Sequence, residues 1–479
     1  MNRIQKKISL PKTFPVTCHT DYVGPGSIFV AIHGQKQNGV DFIPLALERG
    51  AKKIVVQSDA VIPVALQKEI TAAGAQLLRV ENTRLALAQM SAQAHDCPAK
   101  KLKILAVTGT KGKSSTVFML EHLLRSAGYK TALLSTVHNK IDTTIFPAEL
   151  TTAQPDYLHS FFCLCVQEGV EYVVLETAAQ AFSLHRLHGI LFAGGIFTNF
   201  AQEHAEFYAT QDEYFAAKCQ LFDQLHVGAP MFINADDNKG TGILKNYPEF
   251  FAFGLKEESA DYKAVPIEVG TSLSCCVCTK QTSATIICCA LFGMFNAYNM
   301  LGAVALAHAL GVSLEICAQA MTKFEAVPGR LERYELPNGA FCFIDYAHNP
   351  SSFDVVLSTL RTMTNQLVVV FGAGGDRDKT KRPQMGAIAA SYADHVIVTT
   401  DNPRTEDPRE IVADILVGIA KNNRAKIVCE LDREKAIKIA YSLSKKNGIV
   451  ALLSKGRDEY QIFGNKKVYF SEREILGRL

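Results

Sequence analysis

A chain of 479 residues exceeds what a single hydrophobic core supports, so two or three domains are expected. With 48% hydrophobic and 20% charged residues it has the composition of an ordered globular protein, and a net charge of +3 excludes a field strong enough to select nucleic acid or an anionic membrane as principal partner. No apolar run approaches the roughly 20 residues that span a bilayer, and the basic start MNRIQKKISLPKTF lacks an apolar export segment, so no membrane span, a cytoplasmic location and reduced cysteines are expected.

Three blocks follow in chain order, at 1–95, 96–330 and 331–479. The first holds short strands and turns, VGPGSIFVAIHG and GAKKIVVQ, and then an apolar helix near TRLALAQMSAQAH, which predicts a small α/β module. In the second, the strand-like runs KILAV, KTALLS, EYVVLET, GGIFTNF and PMFINADD alternate with helical patterns and lead to the helix NAYNMLGAVALAHALG. That alternation predicts a parallel sheet with crossover helices. Within it, SCCVC and ICCA read as two strands of a hairpin in which Cys275, Cys276, Cys278, Cys288 and Cys289 serve as small hydrophobes, because their spacing is not that of a zinc site. The alternation restarts in the third block with AFCFIDYAH, QLVVVFGAGGDR, DHVIVTTDNPR and GIVALLSKGRDEY, predicting a Rossmann-like, doubly wound C-terminal domain.

The stretch TGTKGKSST, between the apolar run KILAV and the helical pattern TVFMLEHLLRSAG, carries the signature of a phosphate loop. Gly109 and Gly112 permit close backbone approach, Lys113 can reach β- and γ-phosphates, and Ser114 offers a hydroxyl to magnesium at a helix N-terminus. Only two residues separate the glycines, a shorter spacing than in the common phosphate-loop motif. Glu176 follows YVVL and so sits at a strand's C-terminal end, a suitable place for a magnesium ligand. His204, in TNFAQEHAEFY, is a candidate for a second metal or a structural histidine, and Lys218 in AAKCQLF reads on composition as a surface helix lysine.

In the third block four apolar strands end in polar loops, at Asp345 to His348, Gly372 to Arg377, Asp401 to Arg404 and Lys455 to Glu459. In an open α/β sheet such ends gather around one crevice. Arg377 and Arg404 can clamp a carboxylate, and Asp458 or Glu459 can pair with an ammonium group, so the crevice suits a zwitterionic amino acid.

The motifs TGTKGKSST, FTNFAQEH, AAKCQLF, FNAYN, VPGRLE, DYAHNP, GAGGDRDKTKRPQMG, TTDNPRTEDP and KGRDEYQ, in this order, resemble those of the Mur ligases, and within that family the diaminopimelate-adding members. VGPGSIFVAIHGQKQNGVDFI is similar to the family's N-terminal uridine-nucleotide domain, so the likeness covers nearly the whole chain. It implies a UDP-binding domain, a central ATP-binding domain and a C-terminal amino-acid domain. It also implies an ATP-dependent amide ligase that activates UDP-N-acetylmuramoyl-L-alanyl-D-glutamate as an acyl phosphate and joins it to meso-2,6-diaminopimelate for peptidoglycan.

By that resemblance Thr108, Gly109, Thr110, Lys111, Gly112, Lys113, Ser114 and Ser115 handle ATP, with Asn296, Arg330 and Asp345 as further ATP contacts. Ser114, Glu176 and His204 match magnesium ligands, and Lys218 matches a lysine carbamylated by CO₂, against the composition reading. Lys113, His204 and Lys218 are the implied catalytic groups. Thr151, Thr152 and Arg186 match contacts to the UDP-sugar peptide. Asp401, Asn402, Pro403 and Arg404 form the diaminopimelate signature, with Arg377, Ser454 and Asp458 beside it. A guanidinium fork at Arg404 suits the second carboxylate that diaminopimelate has and lysine lacks. A monomer is expected.

Departures from the family's pattern concentrate on the substrate side. Its usual Ser-Ser-His run is Ala178, Ala179 and Gln180 here, with Leu184 for a nearby Gln, and its N-terminal Asp-Ser-Arg is His19, Thr20 and Asp21. Gly-Lys-Gly-His-Glu becomes Ser454, Lys455, Gly456, Arg457 and Asp458, and TTAQPD at 151–156 carries an extra pair of residues. These departures keep two alternatives open. One is a related Mur or folylpolyglutamate-type ligase for another amino acid such as L-lysine; the other is a non-catalytic nucleotide-binding relative.

Overall fold

The computed structural model describes residues 8–34, 37–201, 203, 207–269, 272–280, 284–419 and 425–479. The chain divides into two compact units. The first comprises Met1–Val265, Cys276–Ile287 and Ala297–Met321; the second comprises Pro266–Cys275, Cys288–Asn296 and Thr322–Leu479.

The first unit begins with a parallel four-stranded sheet of β1 (Val16–Thr17), β2 (Ile28–Val30), β3 (Lys53–Gln57) and β4 (Gln76–Val80), in that order. The predicted helix spans Thr83–Ala94, and the Asn82 side chain caps its first turn by accepting from the N–H groups of Arg84 and Leu85.

Next come β5 (Lys103–Thr108), β6 (Thr131–Leu134), β7 (Asn139–Ile141), β8 (Thr144–Phe146), β9 (Tyr172–Glu176), β10 (Gly194–Phe197), β11 (Met231–Asn234) and β12 (Phe251–Gly254). Their order across the sheet is β12-β11-β10-β5-β9-β6-β7-β8, parallel except at β7 and β8. Residues of β9 are buried along its whole length, which is why YVVLE reads as a continuous apolar run rather than an alternation. Having laid β9 on one flank of β5, the chain places β10 on the other, so strand order reverses beside β5 and opens a crevice at its C-terminal end. The phosphate loop leaves the sheet at that point. Helix Pro155–Gln167 packs Phe161 and Phe162 into the core on one face of this sheet.

Three strands, β13 (Tyr262–Val269), β14 (Leu273–Thr279) and β15 (Thr285–Cys289), follow, and their residues are shared between the two units. The predicted hairpin strands correspond to β14 and β15, with Cys275 and Cys289 buried.

The second unit carries β16 (Glu332–Glu335), β17 (Phe341–Ile344), β18 (Leu367–Phe371), β19 (His395–Val398), β20 (Lys426–Cys429) and β21 (Ile449–Leu452), in the order β16-β17-β21-β18-β19-β20. Only β16 runs antiparallel to its neighbour. Helices Pro350–Met363, Lys381–Tyr392 and Pro408–Val417 cover one face; Arg433–Leu443 and Glu472–Leu476 cover the other, which makes the domain doubly wound. Ile344 and Val370 both pair with Leu452, and Phe371 pairs with Val398, so the four parallel strands end level. A hairpin of β22 (Tyr460–Phe463) and β23 (Lys466–Tyr469) follows.

Candidate active site

In the first unit, residues 109–112 turn from β5 into the helix Lys113–Ser126. Gly109 and Gly112 have φ of +135° and +82°, and a Cβ at Gly112 would lie 2.2 Å from Asn299 Oδ1, so both conformation and space demand glycine there. The end of β10 holds the loop: Asn199 accepts from Thr110 N–H through its carbonyl, 2.8 Å, and from Lys111 N–H through Oδ1, 2.9 Å. Thr198 Oγ1 donates to the Lys111 carbonyl at 2.6 Å. Lys113 Nζ lies over the turn, donating to the carbonyls of Gly109 and Thr110 at 3.0 and 2.9 Å. Gly112 caps the helix without a side chain, so the helix start presents backbone N–H groups and the positive end of its dipole to the loop.

Ser114 Oγ donates to Glu176, 3.2 and 3.1 Å from its two carboxylate oxygens. Glu176 is 2% exposed and also accepts from Thr136 N–H at 2.9 Å. Its own carbonyl accepts from Thr152 Oγ1, while Arg186 Nη1 donates to the Thr152 carbonyl at 2.8 Å. Thr136 Oγ1 donates to Thr151 Oγ1. Thr151, Thr152 and Arg186 therefore join Ser114 and Glu176 in one polar cluster. Arg186 is half-buried, and its buried Nε has no hydrogen-bond partner among the described residues.

Lys218 corrects the composition reading. It is 1% exposed, not a surface lysine, because the helix Gln211–Cys219 turns this residue inward beneath the phosphate loop. Its ammonium donates to the Gly109 carbonyl at 2.7 Å and lies 4.4 Å from the Tyr214 ring centre. Burial first, and then the Lys113 charge, pushes its pKa well below the ordinary lysine range. Lys111 pairs with Glu203. His204 lies outside the described residues.

In the second unit the level strand ends bring their loops together. Asp345 accepts from Leu331 N–H and Ala347 N–H at 2.8 and 2.7 Å, and the Arg330 guanidinium lies 5.3 Å from the Tyr346 ring centre. Asn296 is buried, its amide donating to the Phe292 carbonyl at 2.8 Å. Ser454 Oγ donates to the Gly372 carbonyl at 2.7 Å, and Gly375 N–H to the Asn402 carbonyl at 2.9 Å. Lys455, fully buried, forms an ion pair with Asp401 at 3.2 Å and donates to the Tyr460 carbonyl at 2.6 Å. Burial alone would raise the Asp401 pKa; the Lys455 and Arg433 charges outweigh it and hold the carboxyl below its usual range. Pro403 lies against Gly375, where a Cβ would come within 1.8 Å of the Pro403 carbonyl. Arg404 has φ of +52°, and its Nη1 donates to the Gly375 carbonyl at 2.8 Å. Its Nε and Nη2 edge has no hydrogen-bond partner among the described residues.

Arg377 is exposed on the adjoining loop. Asp458 is partly buried, and burial raises its pKa, whereas exposed Glu459 lies 3.6 Å from Arg473. Two polar supports had no signal in the sequence, Thr136 beneath Glu176 and the buried Arg382, while Lys455 was marked only as part of a polar loop and not as the buried partner of Asp401. Each lies in a polar stretch where burial, not residue type, marks its role.

A phosphate-loop sheet followed by a doubly wound sheet whose strand-end loops gather in one polar cluster defines a multidomain α/β protein of the nucleotide-binding kind. Family models match in three consecutive segments: the Mur ligase family catalytic domain at 16–95, the Mur ligase middle domain at 107–307, and the Mur ligase glutamate ligase domain at 329–456. The chain is 35% identical over 95% of its length to a protein of Clostridium acetobutylicum named UDP-N-acetylmuramoyl-L-alanyl-D-glutamate--2,6-diaminopimelate ligase 1, covering 92% of it. A ligase of the same kind from Clostridium tetani is 36% identical over 94% of this chain and 91% of its own. A solved structure of such a ligase superimposes with a TM-score of 0.65 at 26% identity, over 97% of this chain and 94% of that one. A folylpolyglutamate synthase from Thermotoga maritima shares the fold with a TM-score of 0.61 at 16% identity, over 77% of this chain and 90% of that one. The chain belongs to the Mur ligase family, a family of ATP-dependent ligases. No helix among the described residues is long and apolar enough to cross a membrane.

Proposed function

We propose that this protein joins meso-2,6-diaminopimelate to UDP-N-acetylmuramoyl-L-alanyl-D-glutamate, consuming ATP and releasing ADP and phosphate, in the cytoplasmic synthesis of peptidoglycan precursors. One observation carries the reading: a phosphate loop whose Ser114 meets buried Glu176, in a chain 35% identical over 95% of its length to a diaminopimelate-adding ligase. The division of labour follows the blocks 1–95, 96–330 and 331–479, for UDP, ATP and amino acid, in a chain that works as a monomer.

The D-glutamyl carboxylate attacks the γ-phosphorus of ATP, forming an acyl phosphate as the bond to ADP breaks. The amine of diaminopimelate then attacks the acyl carbon, phosphate leaves, and the amine gives up a proton as the amide forms. Thr108 to Ser115 cradle the nucleotide, and Lys113 follows the charge that develops on the transferring phosphoryl group. Asn296, Arg330 and Asp345 contact ATP, while Thr151, Thr152 and Arg186 hold the UDP-linked peptide.

Ser114 and Glu176 supply hard oxygen donors of the kind magnesium takes, and His204 is the remaining candidate ligand. Magnesium, when bound, neutralises phosphate charge. Lys218 is built to react with CO₂. Its buried amine is readily neutral, and a neutral amine adds CO₂ with loss of one proton to give a carbamate. That converts a cation under the phosphate loop into an anion. On the amino-acid side, Arg404 uses its Nε and Nη2 edge for the distal carboxylate, Arg377, Asn402, Pro403 and Ser454 shape the site, and Asp401 and Asp458 supply its negative charge.

Substrate labelled with ¹⁸O in the D-glutamyl carboxylate tests the chemistry. One labelled oxygen should appear in the released phosphate, and phosphate free of label would rule out the acyl phosphate.

A further inference from the structure

The turn 401–406 holds Arg404 in a left-handed conformation, φ +52°, which a long side chain adopts only where its surroundings force it. Backbone pairing explains part of this: Arg404 N–H donates to the Ile462 carbonyl at 3.0 Å, and the Arg404 carbonyl accepts from Gly464 N–H at 2.7 Å. Two buried cations brace the rest. On the N-terminal side Lys455 engages Asp401 and the Asn402 side chain, at 3.2 and 3.3 Å.

On the C-terminal side stands Arg382, near the start of the helix Lys381–Tyr392 and 0% exposed. Its Nη1 and Nη2 donate to the two carboxylate oxygens of Glu406, each at 2.9 Å, in a fork that only arginine can make. Nη1 also reaches Asp414 at 2.8 Å, and Nη2 donates to the Gly374 carbonyl at 3.3 Å. Glu406 in turn accepts from Asp376 N–H at 2.6 Å. One guanidinium thus ties the end of the 401–406 turn to the 374–376 loop, whose Gly375 carbonyl accepts from Arg404 Nη1. A Cβ at Gly374 would stand 2.9 Å from that same Nη1, so the Arg404 head lies directly against this loop.

We propose that Arg382 is a positioning residue for amino-acid selection: clamping Glu406 and Gly374 together, it fixes the direction in which Arg404 presents its donor edge to the distal carboxylate of the incoming amino acid. The inference rests on the reading of Arg404 given under Proposed function. Arg382 itself, wholly buried and turned to protein carboxylates, does not touch substrate. Its influence is on discrimination between a dicarboxylic diamine and L-lysine, because only the former uses the Arg404 edge.

The test is steady-state kinetics on the full chain carrying Arg382→Lys or Glu406→Gln, with KM measured separately for diaminopimelate, L-lysine and ATP, and the melting temperature beside them. Arg382→Lys keeps the charge and loses the fork. It should raise the diaminopimelate KM about tenfold, since ångström-scale misplacement is enough for such a loss, and leave the ATP KM within about twofold. The preference for diaminopimelate over lysine should fall in proportion, and Glu406→Gln should move both in the same direction. A folded variant with unchanged diaminopimelate KM, or with the ATP and diaminopimelate KM raised alike, overturns the proposal. If Arg382→Lys does not fold, Glu406→Gln decides on the same criteria. A wild-type chain that uses lysine but not diaminopimelate overturns the reading of Arg404 and this inference with it, whereas a diaminopimelate-specific wild type with indifferent variants overturns the inference alone.

Discussion

Lys218 shows how a residue's surroundings can reverse the meaning of its type. In QDEYFAAKC it is one polar residue among several, and nothing in that helix marks it for burial. Its burial is a tertiary fact, made by the Gly109 carbonyl above it and the Tyr214 ring beside it. The phosphate loop was legible because its glycines, lysine and serine are contiguous in sequence; the support under it came through the family resemblance alone. Arg382 was harder still, being one cation in the run DRDKTKRP, of which it is the fully buried one. If Lys218 carries a carbamate, protein equilibrated with ¹³C-bicarbonate should show a carbamate resonance in the NMR spectrum. Lys218→Met should remove that resonance and lower turnover by about 100-fold, the scale of one lost electrostatic support. A variant with near-normal turnover would contradict the role.

At the scale of elements, the buried apolar strands were readable and the hairpin strands β7 and β8 were not. β5, β6, β9, β10 and β11 are buried over most or all of their length and stood out as apolar runs. β7 and β8 have three residues each, joined at Asp142 with φ of +52°, and NKIDTTIF has too little apolar content to announce a hairpin. The helix Pro155–Gln167 presents a measurable oddity. His159 is 2% exposed with neither ring nitrogen hydrogen-bonded among the described residues, and burial, reinforced by His95, lowers its pKa to about 4.

The folded state therefore holds His159 neutral while the unfolded chain protonates it near pH 6.5, so stability is complete above that value and drains as pH falls toward 4. Between pH 7 and pH 5 this site should cost about 2 kcal/mol. Urea unfolding of wild type and His159→Phe at both pH values checks this, and the variant should lose less stability on acidification. Equal losses would mean that His159 finds a proton-sharing partner.

For the molecule as a whole, three family models match in consecutive segments, as the three blocks of the sequence rhythm lead one to expect, while the contacts group the chain into two compact units, the second of which takes in parts of the 266–296 stretch. A linear reading cannot anticipate that interleaving, because it depends on which partners the strands from Tyr262 to Cys289 find. What the linear reading did anticipate is the gathering of loops at the strand ends of the second unit. Four parallel strands that end level leave their following loops nowhere else to go. The departures at 178–180 lie in the first unit, where Ala178 N–H donates to Thr152 Oγ1 beside Glu176, and those at 454–458 lie in the second unit's loop that buries Lys455 beneath Asp401.

This machinery is read as spending ATP to attach diaminopimelate. Phosphate release by the purified protein with ATP, magnesium and UDP-N-acetylmuramoyl-L-alanyl-D-glutamate, compared across meso-diaminopimelate, L-lysine and no added amine, tests it most directly. Release should require the nucleotide-linked dipeptide and strongly favour diaminopimelate. Release favouring lysine, or none with any amine, would contradict this reading.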